Sequence, residues 1–470
     1  MIKLLWVISI DERGLEMKFT ASQSTQRGKL DAFGAELDPH FFNEYNRADG
    51  FNEDDWKLIC SRIRDMRLHK IRMMIMPEWF EPNKASGGHF DIDFNDFDWD
   101  NQYMYSVYRA LDMAQEYGVK VNLTLWGAWA SHGSWLAYKG LESWVTAPND
   151  NDEWSKNFCA LLKYLTEVRG YTCITDITPY NEPADAYRNA DGRIVYEEYE
   201  EMVRNLDMHL KRHGLRDKVQ LCLSDDGTKP DWAFRCIKRM ADISERFNCH
   251  CYRFSSWISD DMIYDWNDMH KLFINTYAPD AVFTYNEFGS DAYIDSHNCR
   301  DTDTYDRALL YARMAVNFLN SGCNGMIHWC LFDENYGSPK RMNVGLMRFK
   351  DSGWSARPIY YVWSLITRYT VPGSEIYPLS CDASGAVRAT ALKAPDGKWT
   401  VLATNFSDCG ADIELELENA DGLNFRRHTV SESTLPDDSN IVPFDKEFEY
   451  GSGICQTVPP KGFVVLTQIS

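Results

Sequence analysis

The sequence predicts an α/β protein: a parallel (β/α)8 TIM barrel followed by a C-terminal antiparallel β-sandwich. Three observations carry that expectation. Short apolar runs recur eight times, each followed by a polar or aromatic loop and a helical pattern. Alternating units of this kind bury both faces of every strand, and eight strands close the sheet on itself. No Gly-rich first turn of the sort that opens a doubly wound open sheet is present. Helical periodicity then vanishes after about Pro372. The expected division is an N-terminal segment over residues 1–30, a barrel over 31–370 and a sandwich over 371–470.

The stretch Gly14 to Ser22 precedes the barrel and is free to add a strand to the sandwich. Barrel strands are expected at Phe33–Leu37, Ile71–Met76, Val119–Trp126, Ile174–Pro179, Val219–Leu223, Phe247–Tyr252, Val282–Tyr285 and Met326–Cys330. Between them the apolar period is helical. Asn52 can cap a helix on which Trp56, Ile59, Cys60, Ile63 and Met66 share a face. Tyr103, Val107, Leu111 and Ala114 line a second helix, closed by Gly118. Trp154, Phe158, Leu161, Leu162, Leu165 and Val168 line a third, before Gly170. Beyond the barrel, two strands flank Pro395-Asp396-Gly397, Ile413, Leu415 and Leu417 alternate, and the chain closes on FVVLTQI. Alternation without helical period is the pattern of antiparallel strands.

The 470 residues carry 49 Lys+Arg against 70 Asp+Glu, a net charge of −21. Nucleic-acid binding draws affinity from clustered cations that release counterions. No basic stripe is visible, so nucleic acid is not an expected partner. The 16 Trp and 25 Tyr suit a cleft that stacks on flat apolar faces, such as those of sugar rings. The 13 cysteines are odd in number and sit within apolar runs, as at Cys222, Cys249, Cys251, Cys323 and Cys330. That usage reads as reduced, buried thiol and a cytoplasmic setting. The start MIKLLWVISI is a poor signal peptide, because Asp11, Glu12 and Arg13 follow it and no small-x-small cleavage site appears. Secretion by a degenerate signal is the alternative, and Met17 is a second candidate start. No later run reaches about 18 uncharged apolar residues, so no membrane partner is expected. Nothing in the sequence specifies the oligomeric state.

In such barrels the chemistry occupies the C-terminal ends of the strands. Strand four ends in ITPYNEPAD and strand seven in FTYNEFGS, which places Glu182 and Glu287 at that end. Each follows an asparagine, Asn181 and Asn286, whose amide can donate to a nearby oxygen. Two facing carboxylates are what hydrolysis of a glycosidic bond needs: one gives a proton to the leaving oxygen, the other attacks or activates water. Their surroundings must separate the two pKa values. A single Glu at a strand end is more commonly a salt-bridged surface residue; two, at two expected mouths, point to catalysis. Strand six reads NCHCYRF, so His250 and Tyr252 share one face and Cys249 and Cys251 the other. That split argues against a three-ligand zinc site. Asp91, Asp93, Asn95 and Asp96 superficially suggest calcium, but the sixth place of the loop is Asp96 rather than Gly and the twelfth is Gln102 rather than Glu. His-Glu-x-x-His, Walker, Gly-x-Ser-x-Gly and Cys-x-x-Cys patterns are absent, so neither a metal nor a cofactor is expected.

With NEP at strand four, YNE at strand seven and an aromatic eighth strand, residues 31–370 resemble the retaining glycoside hydrolases of clan A, of the family 5 and family 39 types. That group includes β-glucosidases, β-xylosidases, β-mannosidases and cellulases. The segment FDWDNQYMYSVYRALDMAQEYGVKVNLTLWGAW also resembles the second-helix and third-strand region of family 5 type members. The resemblance implies that Glu182 is the general acid/base and Glu287 the nucleophile. It implies that Asn181 bonds the sugar 2-hydroxyl and that Arg72 on strand two keeps Glu287 ionised. His250 and Tyr252 look like the clan's strand-six pair, with the Tyr hydroxyl holding the nucleophile. Trp329 resembles its aromatic floor under the cleaved sugar. Trp126, Trp129, His132 and Trp135, beyond strand three, are read as a sugar-subsite wall. Glu78 and Trp79 after strand two are read as reaching the cleft, and Asp333, Glu334 and Tyr336 after strand eight as groups that fix a terminal sugar hydroxyl. The expected function is a cofactor-free retaining β-glycosidase, exo-acting on a β-linked carbohydrate. An endo-acting β-glycanase of the cellulase or mannanase kind, a non-catalytic sugar-binding barrel and a transglycosylase are the alternatives. The sandwich shows no obvious aromatic strip for sugar and is read as structural support.

Overall fold

The computed structural model describes residues 16–21, 26–141, 143–186, 188–193, 195–227, 229–252, 260–289, 293–295, 298–299, 301–337, 341–379, 385–420, 422–451 and 454–470. Eight parallel strands, Ala32–Glu36, Lys70–Ile75, Lys120–Leu125, Ile174–Thr178, Gln220–Asp226, Arg246–Cys251, Val282–Phe288 and Gly325–His328, pair in sequence order. The eighth also pairs with the first, from Gly325 opposite Ala32 to His328 opposite Ala35, and closes the barrel. The seam is tight. A Cβ on Gly34 would lie 2.2 Å from the Lys70 carbonyl oxygen, and one on Gly325 would lie 2.2 Å from that of Ala32.

All eight apolar runs are strands, with ends displaced by a residue or two except at strands five and seven. Those two continue three residues further, to Asp226 and Phe288. The added residues include buried polar ones, Ser224, Asp225 and Asp226 on strand five and Asn286 and Glu287 on strand seven, so the apolar pattern stops before the ladder does. Glu287 is thus a ladder residue, opposite His250 on strand six.

The helices form for local reasons. Asn52 accepts from the backbone N–H groups of Asp54 and Asp55 while Asp55 accepts from the Asn52 N–H, a reciprocal cap that starts Glu53–Met66. Gly118, at φ 70°, ends Gln102–Tyr117 in the left-handed region that favours glycine. The helix Asn151–Lys163 passes into a π-turn over Tyr164–Val168, and that turn leaves Val168 54% exposed instead of continuing the apolar face.

Polar layers fill the barrel. At the base, Lys70 Nζ bonds Asp31 at 3.2 Å and Asp176 at 2.9 Å, and Arg246 pairs with Asp31. Above them Asn122 donates to Asp176 at 2.6 Å and accepts from Thr178 at 3.2 Å. The top layer is centred on Arg72.

Six strands after residue 371 form a seven-stranded sheet with Gly28–Lys29, and Ala411–Leu417 and Ile454–Val458 form a second sheet with Glu16–Ala21, which runs parallel to Ala411–Leu417. Alternation assigns the faces. Val401, Ala403, Val464 and Leu466 share a core with Phe19, Ile413, Leu415 and Leu417 of the smaller sheet. Leu402, Phe463 and Val465, on the other face, join the core of the barrel. Among the described residues no helix is long and apolar enough to cross a membrane.

Trp363 ties the last barrel helix, Pro358–Arg368, to strand one: it is fully buried, its Nε1 donates to the Gly34 carbonyl at 3.0 Å, and its ring meets Phe33 edge-on at 5.5 Å. Trp363→Ala is expected to cost about 3–5 kcal/mol through lost packing and the cavity left behind. A urea titration followed by circular dichroism would read this as a lowered midpoint.

Candidate active site

The Arg72 guanidinium, in the middle of strand two, is fully buried, and side chains from strands one, five and seven and from the turn after strand four converge on it. Its Nη1 donates to Glu36 Oε2 at 3.1 Å and to Glu287 Oε1 at 2.5 Å. Its Nη2 donates to Asn181 Oδ1 at 2.8 Å and to Asp225 Oδ2 at 2.6 Å. Tyr252 donates its hydroxyl to the other Glu287 oxygen at 2.5 Å. Both oxygens of Glu287 are therefore held by donors. His250 lies between the two glutamates: its Nδ1 is 3.0 Å from Glu182 Oε1 and 3.4 Å from Glu287 Oε2, and its Nε2 is 3.1 Å from Asp225 Oδ1. One oxygen each of Glu182 and Glu287 and one nitrogen of His250 lie within 4.8 Å of one another.

The backbone is bent to achieve this. Glu182, Ser224 and Asp225 have φ of 45°, 84° and 52°, conformations uncommon for residues with a side chain. The Glu182 N–H bonds the Asp225 carbonyl at 3.1 Å, which joins the strained ends of strands four and five. Gly227 leaves the space: a Cβ there would meet Glu182 Oε1 at 3.0 Å.

Electrostatics follow from burial. Burial alone would lower the His250 imidazole, yet Glu287 and Asp225 raise it well above the ordinary histidine range, as an imidazolium. Burial would raise Asp225, but Arg72 and His250 hold it below the usual carboxylate range. Burial pushes Glu287 up, opposed by His250 and Arg72. Burial raises Glu36 well above its ordinary value, with Arg72 opposing and Asp38 adding to the rise.

An aromatic wall borders this constellation. Trp329, 6% exposed, packs in one cluster with Met74, Cys330 and Val344, against half-buried Trp126, Tyr252 and the Tyr336 ring. Trp126 meets Tyr336 and Trp129 at 5.3 Å each, and Trp129 stacks on exposed His132 at 4.5 Å. Buried His40 meets Trp79 at 5.0 Å and Tyr336 at 4.8 Å, both edge-on. Burial pushes Asp38 up to about 6, while it accepts from Tyr336 at 2.7 Å and from the Met74 N–H at 3.1 Å.

Four sequence-derived candidates are engaged elsewhere. Asp333 is taken by Arg357, at 2.6 and 2.9 Å, and by the Gly345 N–H at 3.0 Å, so it is not offered to a sugar. Asn286 bonds Thr284 and Cys222, one layer down, instead of a carboxylate. Trp135 donates to the Glu81 carbonyl, and Glu78 is half-buried, its carboxyl raised by burial, with Ser134 as its side-chain partner. Sequence reasoning missed Glu36, Asp38, His40 and Asp225. The usable signal was an acidic residue inside an otherwise apolar buried strand, which demands a cationic partner. The Glu182, His250 and Glu287 ligand atoms have the spacing of a cation site, but Arg72 and Tyr252 already hold both Glu287 oxygens. The acids at 91–96 serve loop turns: Asp91 accepts from Gly88, Asp93 from Asn95 and Asp96 from Ser86.

No protein-family model matches the chain, and no curated protein matches its sequence. Solved structures do match its fold. The catalytic domain of GH30 xylanase C from Talaromyces cellulolyticus aligns with TM-score 0.69 at 15% identity, over 96% of this chain and 99% of that one. A GH30 endoxylanase from Clostridium papyrosolvens C71 gives 0.66 at 13%, over 97% and 100%. The GH39 enzyme from Xanthomonas axonopodis pv. citri gives 0.63 at 13%, over 97% of each. At these identities the likeness is one of fold: the (β/α)8 barrel with its C-terminal β domain. Family 39 is one of the two types named from the sequence, whereas family 30 comes from the structure alone.

Asp38 makes the fold pH-dependent. Its folded pKa of about 6 lies above the ordinary aspartate value of 3.8, so the folded state binds more protons and this group lowers stability as pH rises from about 4 to 6. Asp38→Asn is expected to flatten that part of a melting-temperature profile measured across pH 3.5 to 7.5.

Proposed function

We propose that this protein is a retaining glycosidase acting on β-linked carbohydrate by double displacement, with Glu287 as nucleophile and Glu182 as general acid/base. The observation that carries the reading is the approach of their carboxylate oxygens to within 4.8 Å. Retaining enzymes hold their carboxyl groups about 5–5.5 Å apart, whereas inverting ones leave about 6.5–9.5 Å for a water molecule.

In the first step Glu287 attacks the anomeric carbon while Glu182 protonates the departing oxygen. Arg72 and Tyr252 each hold one Glu287 oxygen, which orients the attack and favours the ionised carboxylate. Negative charge leaves Glu287 as the covalent bond forms. Glu182 then takes a proton from water, which displaces Glu287 with a second inversion, so configuration is retained. Arg72 engages the Asn181 carbonyl oxygen, turning the amide N–H groups toward the sugar 2-hydroxyl. Trp329 offers a flat face under the reacting sugar, and Trp126 and Trp129 a side wall. Proton and nucleophile both come from carboxyl groups, so the chemistry uses no cofactor.

Exo action is favoured by the contact chain Trp79–His40–Trp126, which joins the loops after strands two and three into one wall. Endo action is the second reading, supported by the fold shared with the endoxylanase from Clostridium papyrosolvens C71. Viscosity loss that outpaces reducing-end release on a soluble β-glycan would select the second.

On an aryl β-glycoside that the protein cleaves, Glu287→Ala and Glu182→Ala are each expected to lose about 10²–10⁴-fold or more in kcat. Added azide separates the roles. It should give the β-glycosyl azide with Glu182→Ala and the α-glycosyl azide with Glu287→Ala. Wild-type rates in either folded variant would sink the assignment.

A further inference from the structure

We propose a divalent-cation site, zinc by its ligand chemistry, formed by His89, Asp150 and Glu153 outside the Arg72 constellation. One ligand atom from each lies within 4.8 Å of the others. His89 Nδ1 is 3.4 Å from Glu153 Oε1 and 3.9 Å from Asp152 Oδ2. The first value matches the edge of a tetrahedron whose bonds are about 2.1 Å long, the length zinc makes to nitrogen and oxygen. One imidazole among carboxylates also favours zinc over the all-oxygen sets of calcium and magnesium.

Local structure accounts for part of this cluster. Asp150 caps the helix Asn151–Lys163, accepting from the Asp152 and Glu153 N–H groups at 3.0 and 3.2 Å. Asp152 is held by His209 Nε2 and Asn205 Nδ2, both at 2.9 Å. Acids at these places suit a helix N-terminus. Glu153 is the residue that helix chemistry leaves unexplained. It is 3% exposed, its Oε1 faces His89, and its other oxygen, the buried Oε2, accepts no hydrogen bond. Such an oxygen is costly to bury without a partner, and a bound cation would supply one.

Two lysines face the cluster. Lys84 Nζ lies 3.1 Å from Glu153 Oε1 but is 53% exposed, so its flexible stem can swing into solvent. Lys156 is spent on the Ser86 carbonyl at 2.8 Å, which anchors the incoming loop beside His89. A cation here would tie the loop after strand two, which carries Trp79, to the helix after strand three. The proposal does not rest on the glycosidase reading.

The test is isothermal titration of zinc chloride into the whole protein, stripped with a chelator after accessible thiols, Cys409 and Cys455 among the described residues, have been alkylated. About one ion per chain is expected to bind. His89→Ala and Glu153→Gln should each weaken binding by more than about tenfold, whereas Glu287→Gln should leave it unchanged. His89 is exposed, so its variant should fold, and zinc should raise the melting temperature of the wild type but not of His89→Ala. Absence of binding, binding that survives His89→Ala, or binding lost only in Glu287→Gln would each overturn the site.

Discussion

A buried guanidinium organises this protein. Arg72 is fully enclosed, and a charge withdrawn from water is tolerated only when its hydrogen bonds and countercharge are supplied at close range. The supply comes from strand one through Glu36, strand four through Asn181, strand five through Asp225 and strand seven through Glu287. Four strand ends are thereby drawn to one point. The same demand helps keep strands five and seven in the ladder beyond their apolar runs, because Asp225 and Glu287 meet Arg72 there.

Charge balance at that point bears on the chemistry. His250 adds a second cation, held well above the ordinary histidine range by Glu287 and Asp225 against the effect of burial. Asp225 stays ionised between the two cations, while burial keeps a proton on Glu36. The remaining positive charge is matched by Glu287, whose two oxygens both receive donated protons. A carboxylate so held suits the nucleophile role proposed for Glu287, and Glu182, reached through the left-handed turn after strand four, stands on the other side of His250. The scaffold beneath is stiff: ion pairs at the base, amide and hydroxyl layers in the middle, and a sandwich that docks one face of its larger sheet on the barrel.

Much of this was legible in the chain. The eight strands could be read because each is an apolar run between turn signals, and Glu182 and Glu287 because two acids stand at the ends of two such runs that a closed barrel brings to one mouth. Arg72 and Tyr252 now lie on Glu287, and His250 between the glutamates. Other parts were hidden for physical reasons. The Ser224-Asp225-Asp226 stretch reads as a turn after an apolar run, although it is buried strand. Asp333 sits after strand eight as an open acid would, but its partner Arg357 comes from a segment that only the fold brings near. Asn286 follows the same pattern as Asn181, yet it is spent one layer lower. Contacts between distant strand ends have no local trace, whereas periodicity and end position do.

The most direct measurement of the central claim is proton NMR of the first sugar released from a nitrophenyl β-glycoside that the protein hydrolyses, chosen from a panel and recorded before mutarotation. Double displacement through Glu287 predicts the β-anomer as the initial signal. An α-anomer appearing first, or a panel from which no aglycone is released, would contradict the account.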